Sequence, residues 1–310
     1  MAHAYIGTSG WVYAGWREHL YADTPVKRWL QVASTTFDAL EINGSFYTQI
    51  KSETYQRWYD ETPAHFRFAL KGHRFVTHYK RLKGCDESII RLRDQAHPLR
   101  EKLAAVVWQL PSNFQCNVPR LEEFCEALRA WPGVGHALEL RHRSWFTDEV
   151  AAVMRRYGVA VCMGDAPDFP MWRAVTSSLV YARLHGHTRK YASSYSETSL
   201  QQWAAETKRW LGEGRDVHVY FDNDAEGHAV RNAMRLSELV DGRARPAPPA
   251  HRYSGPAPSG SSRGEPWRRP SAQPRSRASS GHRSTARTES RARPQPARSP
   301  DRDRAGTDRR

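Results

Sequence analysis

Six short apolar segments of this chain carry the same two-faced pattern, and no other feature restricts the fold as much. Leu40 and Ile42 alternate with Glu41 and Asn43, Phe68 and Leu70 with Ala69 and Lys71, and Val106, Trp108 and Leu110 with Val107 and Gln109. Further along, Leu138 and Leu140 alternate with Glu139 and Arg141. Val180, Ala182 and Leu184 alternate with Tyr181, Arg183 and His185, and Val217, Val219 and Phe221 with His218, Tyr220 and Asp222. A period of two belongs to strands whose faces see different surroundings. One such strand would fit any half-exposed sheet. Six in chain order, oily on one face and increasingly polar toward the end of the other, need a place where the polar ends gather. A closed barrel of parallel strands has one. Its outer face packs on helices, and its C-terminal mouth is where barrel enzymes hold their sites.

The remaining periodicity agrees. Strands can be placed at residues 5–9, 38–43, 66–71, 104–110, 136–141, 159–164, 179–185 and 216–222. Between most of them apolar residues recur three or four apart, on one face of a helix. Examples are Leu121, Phe124, Cys125, Leu128 and Trp131, and Leu200, Trp203, Ala204, Thr207, Trp210 and Leu211. Gly158 and Gly214 follow two of these helices as C-terminal stops. The connection after the sixth strand, APDFPMWRAVTSS, has two prolines and no helical pattern, so that helix is expected to be short or missing. The pattern predicts an α/β protein, a (β/α)8 TIM barrel over residues 1–241. An open doubly wound sheet is the alternative, weakened because no G-x-G-x-x-G follows the first strand.

The net charge of +14 suggests a nucleic-acid partner until its location is considered. From Arg243 onward there are 17 Arg, no Lys and 5 acidic residues, which leaves 30 basic against 28 acidic residues before that point. The barrel is therefore nearly neutral, and the basicity belongs to residues 242–310. That tail is built of Pro, Arg, Ser, Gly and Ala. It holds too few aliphatic side chains to offset its ordering entropy and is expected to be disordered. It reads as a polycationic arm for nucleic acid or as an extension without function. The 4 cysteines show no C-x-x-C spacing and read as reduced thiols. Neither a run of about eighteen apolar residues nor a basic-then-apolar start is present, so a cytoplasmic protein with no membrane partner is expected.

The inward set at the mouth comprises Glu41, Asn43, Lys71, Gln109, Glu139, Arg141, Asp165, Arg183, His185 and Asp222. Burying so many charges only to close a barrel is costly, because a hydrophobic filling is often equally stable. The cluster therefore favours an enzyme, although pairs such as Glu41 with Lys71 could be purely structural. Lys71, Arg141 and Arg183 suit a phosphate or carboxylate, with Asn43, Gln109 and Asn223 as polar partners. Glu139 and Glu41 would serve as acid and base and His185 as proton carrier. The carboxylates and His185 also offer donors for a divalent metal, with Asp165 and Asp222 as candidate ligands. No H-x-H or H-E-x-x-H motif supports it. Aromatic residues (Trp11, Trp16, Phe46, Tyr47, Trp145 and Phe146) sit in the loops after strands one, two and five. Trp11 and Trp145 are the ones expected to stack on a ligand.

The stretches YIGTSGWVYAGW, FDALEINGSFY, TPAHFRFALKGHRFVTH, VVWQLPSNF, ALELRHRSWF, YARLHG and VYFDNDAEGHAVRNAMRL resemble, in order, the motifs of the domain-of-unknown-function 72, or YecE-like, family. The resemblance covers about residues 5–240 and implies a TIM barrel, without implying a known reaction. The family's last motif more often reads F-N-N-D, so Asp222 stands where an amide is usual. Two functional classes follow. One is an enzyme acting on a polar, anionic small molecule at the mouth by acid/base chemistry. The other is a nucleic-acid-binding or endonuclease-like barrel that uses the aromatic rim and the basic loop at Arg189 and Lys190.

Overall fold

A computed structural model describes residues 2–242 of the chain; the disordered tail expected beyond Gly242 lies outside the described residues. Eight parallel strands pair in chain order, and the eighth closes onto the first. They are β1 (Ala4–Ser9), β2 (Ala39–Ile42), β3 (Arg67–Lys71), β4 (Leu103–Gln109), β5 (Gly135–Glu139), β6 (Ala160–Asp165), β7 (Leu179–Leu184) and β8 (Asp216–Phe221). The helices α1 (Trp29–Thr36), α2 (Gly44–Tyr47), α3 (Ser52–Asp60), α4 (Asp86–Ala96), α5 (Val118–Leu128), α6 (Asp148–Arg156), α7 (Glu197–Gly212) and α8 (His228–Asp241) fill every connection but one. The exception is the stretch from β6 to β7, where Pro167 and Pro170 stand and no helix forms.

Helix ends follow local chemistry. The side chains of Asn117, Thr147 and Ser196 each accept a backbone N–H in the first turn of α5, α6 and α7. Gly158 and Gly214, expected as stops, take positive φ of 65° and 79° just past α6 and α7.

The expected parity holds on all six strands. Leu40, Leu70, Trp108, Leu138, Ala182 and Val219 face outward into one core with the apolar stripes of the helices, among them Leu121 and Phe124 of α5 and Val230 and Ala233 of α8. Inside, five small residues (Ala39, Ala69, Ala105, Ala137 and Ala160) leave room that Tyr181 and Tyr220 of β7 and β8 fill. Their ring centroids lie 5.3 Å apart, and His218 stacks on Tyr181 at 6.0 Å. The barrel is thus plugged below its mouth, and the charged side chains gather above the two tyrosines.

Two buried histidines make this packing acid-sensitive. Trp108 donates its indole N–H to His136 Nδ1 (3.3 Å), which leaves the Nε2 proton facing the Trp131 carbonyl at 3.4 Å. Burial pushes the His136 pKa down to about 4, against a weaker upward pull from that carbonyl. Burial, aided by Arg67, pushes His218 down to about 3. Both are held neutral in the fold, while the unfolded chain takes up protons below pH 6.5. Their contribution is therefore complete above pH 6.5 and is lost as pH falls toward about 4 and 3. In urea unfolding these two histidines should lower stability by up to about 2.7 kcal/mol per pH unit between pH 6 and 4, two protons' worth. A flat profile from pH 7 to 5 would contradict it.

Candidate functional site

The polar ends of the strands meet above Tyr181, and Arg183 of β7 is their hub. Arg183 and Glu41 are fully buried and Glu139 nearly so. Arg183 Nε donates to both Glu41 oxygens (3.1 and 3.0 Å), and Nη2 donates to Glu41 Oε1 at 2.7 Å. Nη1 donates to Glu139 Oε2 at 2.7 Å, and Nη2 also reaches Asp222 Oδ2 at 3.2 Å and Ser9 Oγ at 3.0 Å. Burial works against the charge of the guanidinium, and Glu41, Glu139 and Asp222 together more than reverse it. Tyr181 supports the hub from below by donating its hydroxyl to Glu41 Oε2 at 2.7 Å. Ser9 donates to Glu41 and receives the Asn43 amide at 2.7 Å.

His185 closes the far side. Nδ1 lies 2.9 Å from Asp222 Oδ2, and Nε2 lies 3.4 Å from Arg183 Nη1 and 3.5 Å from Glu139 Oε1. A guanidinium can only donate, so in its contact with Arg183 the His185 Nε2 is the accepting nitrogen. The Asp222 carboxylate thus lies beside both His185 and Arg183. Arg141 grips Glu139 Oε1 through Nε at 2.6 Å and through Nη2. Burial alone would raise the Glu139 pKa. Arg141 and Arg183 outweigh it and hold the carboxyl well below the usual range.

Two aromatic rings border this lattice. Phe169, from the helix-free connection, lies against Gly164, where a Cβ would come within 2.8 Å of its ring. Its centroid is 4.4 Å from Arg141 Cζ and 5.5 Å from the His185 ring. On the opposite side Phe46 of α2 lies under the Lys71 ammonium at 4.3 Å. Lys71 is 6% exposed, and its ammonium has neither a hydrogen bond nor an ion pair among the described residues. Its pKa is lowered to about 7, first by burial, then by Arg183 and Arg141 against the opposing pull of Glu139 and Asp222. His78, in the turn after β3, is lowered to about 4 by burial and by Lys71 and Arg141. Gln109 stands at the end of β4, 7% exposed.

Several expected residues lie elsewhere. Asp165 ends β6 on the outward parity of Val161 and Met163 and pairs with His187 at 3.4 Å, so it does not join the lattice. Asp222 does join, but the carboxylates converge on the Arg183 guanidinium, which stands where a cation would bind. The residues thus do not fit a divalent metal. Among the described residues no group of three or more His, Cys, Asp or Glu side chains is arranged for one. Trp145 is fully buried, donates its indole N–H to the Phe114 carbonyl at 2.7 Å and meets that ring edge-on. Trp11 packs edge-on against Trp58 at 5.1 Å. Both rings plug loops against the core and offer no face to a ligand. Asn223 donates to the Ser193 carbonyl and to Asn232, tying the loop after β7 to α8. Phe169 escaped sequence reasoning because its connection has no periodicity to fix a direction.

A closed eight-stranded barrel with charged residues at its C-terminal mouth places the chain among (β/α)8 barrel proteins. It belongs to the family described as protein of unknown function DUF72, whose sequence model matches residues 5–254. UPF0759 protein YunF of Bacillus subtilis is 25% identical over 269 residues, covering 76% of this chain and 94% of that protein. UPF0759 protein YecE of Escherichia coli K12 is 27% identical over 144 residues, 46% of this chain and 50% of YecE. The crystal structure of a family member from Thermotoga maritima superposes with a TM-score of 0.69 at 26% identity, covering 77% of this chain and 99% of that one. No helix among the described residues is long and apolar enough to cross a membrane.

Proposed function

We propose that the chain is an enzyme acting by acid/base chemistry on a polar, anionic small molecule, bearing a phosphate or carboxylate, at the mouth beside Lys71 and Arg141. The observation that carries this reading is the unpartnered Lys71 ammonium. The charge of Arg183 is answered by three carboxylates and that of Arg141 by Glu139, which leaves Lys71 as the cation that an incoming anion can complete. The acid/base roles shift accordingly. Glu41 touches Ser9, Tyr181 and Arg183, out of a substrate's reach, and Glu139 is too strongly held as a carboxylate to be an effective base. Lys71, close to half-neutral at pH 7, is the better proton carrier, with Glu139 and His185 fixing the cations around it. A nucleic-acid role draws less support, since Lys190 of the basic loop is paired with Asp168 at 2.6 Å.

Thermal unfolding of the full chain, titrated with inorganic phosphate and with malonate, tests this. A ligand at about a hundred times its Kd adds about 2.7 kcal/mol, a rise of several degrees for a domain of this size. The rise should vanish in Lys71→Met and Arg141→Met. Equal rises in both variants, or none in the parent chain, would remove the reading.

A further inference from the structure

Lys71 stands apart from the other charges of the mouth. The carboxylates that could pair with it are taken: Glu41 by Arg183, Ser9 and Tyr181, Glu139 by Arg141 and Arg183, and Asp222 by Arg183 and His185. The charged groups facing it are Glu139 and Arg141 at the end of β5, Arg183 of β7, Asp222 after β8 and His78 in the turn after β3. The side chain shares the inward parity of Ala69 and ends over Phe46, at the border of the lattice rather than within it. A buried amine beside guanidiniums, with no carboxylate to hold its proton, is the arrangement that makes a lysine a nucleophile.

We propose that Lys71 forms an imine with a carbonyl-bearing anion, a 2-oxo acid or a phosphorylated aldehyde or ketone. This rests on the anion site proposed above and names its substrate class. The nitrogen lone pair adds to the carbonyl carbon, and the carbonyl π electrons move to oxygen. Proton transfer from nitrogen to that oxygen gives the carbinolamine. The C–O bond then breaks, and the oxygen leaves as water carrying both former amine hydrogens. A proton from solvent leaves the imine cationic, facing Glu139 and Asp222. No oxidant or reductant is involved. Arg141 engages Glu139 through Nε and Nη2, and its Nη1 holds the anionic end of the substrate. Before attack the guanidiniums favour the free amine: about half of Lys71 is neutral at pH 7, against roughly one in 2,500 for a lysine of ordinary pKa.

The full chain is incubated at pH 7 with pyruvate, glyoxylate or dihydroxyacetone phosphate in the presence of cyanoborohydride, which reduces an imine to a stable amine. The adduct is then mapped by peptide mass spectrometry. At least one of these probes should label Lys71, about two orders of magnitude more than any exposed lysine. Inorganic phosphate should compete, and Lys71→Arg, which keeps the charge, should abolish labelling at that position. Label spread evenly over surface lysines, or no label at Lys71 from any of the three, overturns the imine. If phosphate still raises the melting temperature in that case, the anion site survives and only the nucleophile is lost. If phosphate too has no effect, both fail.

Discussion

Arg183→Met is expected to lose about 3–5 kcal/mol of stability or to prevent folding, because removing one member of a buried ion group leaves its partners charged and desolvated. Glu41 would keep Tyr181 and Ser9 as neighbours, and Asp222 would keep His185, but both would lose the guanidinium they share. Arg141→Met removes one of the two guanidiniums on Glu139, at the border of the lattice, and is expected to lose less, about 1.5–3 kcal/mol, the range for a hydrogen bond to a charged group. Urea unfolding of the two variants beside the parent chain checks the ranking. Equal losses would mean that Arg183 is not the hub. A third variant separates fold from chemistry. Combining Arg183→Met with Glu41→Gln and Asp222→Asn leaves polar groups of similar volume and keeps Glu139 paired with Arg141, so most of the loss should be recovered. Recovery would mean that the charges are not what the barrel needs to stand, and a chemical role would be the reason for their presence.

The strand ends were readable because β-structure converts sequence parity into direction. Once Leu138 and Leu140 are assigned to the helices, Glu139 has only the interior left, and the same step places Glu41, Lys71 and Arg183. Parity stops at the Cβ, and what lies beyond it was not readable. Arg183 is long enough to reach Glu41, Glu139, Asp222 and Ser9 from one strand, so the residue expected to hold a ligand instead holds the protein. Asp165 was misplaced because it was assigned by its position at a strand end rather than by parity, which puts it with Val161 and Met163. Trp11, Trp145 and Phe169 sit in connections, where no period fixes a direction. Whether a ring becomes a platform or a plug then depends on contacts from distant segments, such as Phe114 for Trp145 and Gly164 for Phe169.

Gly7→Ala is expected to be as damaging as the loss of Arg183, although it adds a single methyl group. Gly7 sits in β1 opposite Ala39 of β2 and Tyr220 of β8. A Cβ there would lie 1.7 Å from the Ala39 carbonyl oxygen and 2.8 Å from its carbon. Those are backbone atoms within a closed sheet. They cannot withdraw as a flexible side chain would, and retreat means opening the seam between β1 and β2. Overpacking that side chains can absorb costs about 1–3 kcal/mol, so a clash with an immobile ladder should exceed about 4 kcal/mol. Partial relief would still move Ser9, two residues on, whose hydroxyl joins Glu41, Asn43 and Arg183. The anion-dependent rise in melting temperature should therefore disappear even from whatever Gly7→Ala protein remains folded. Gly15→Ala, where a Cβ meets nothing within 4 Å, should stay within about 0.5 kcal/mol of the parent chain. A Gly7→Ala protein that melts like Gly15→Ala would mean that the first two staves are not packed this closely, and the placement of Ser9 beneath the mouth would fall with it.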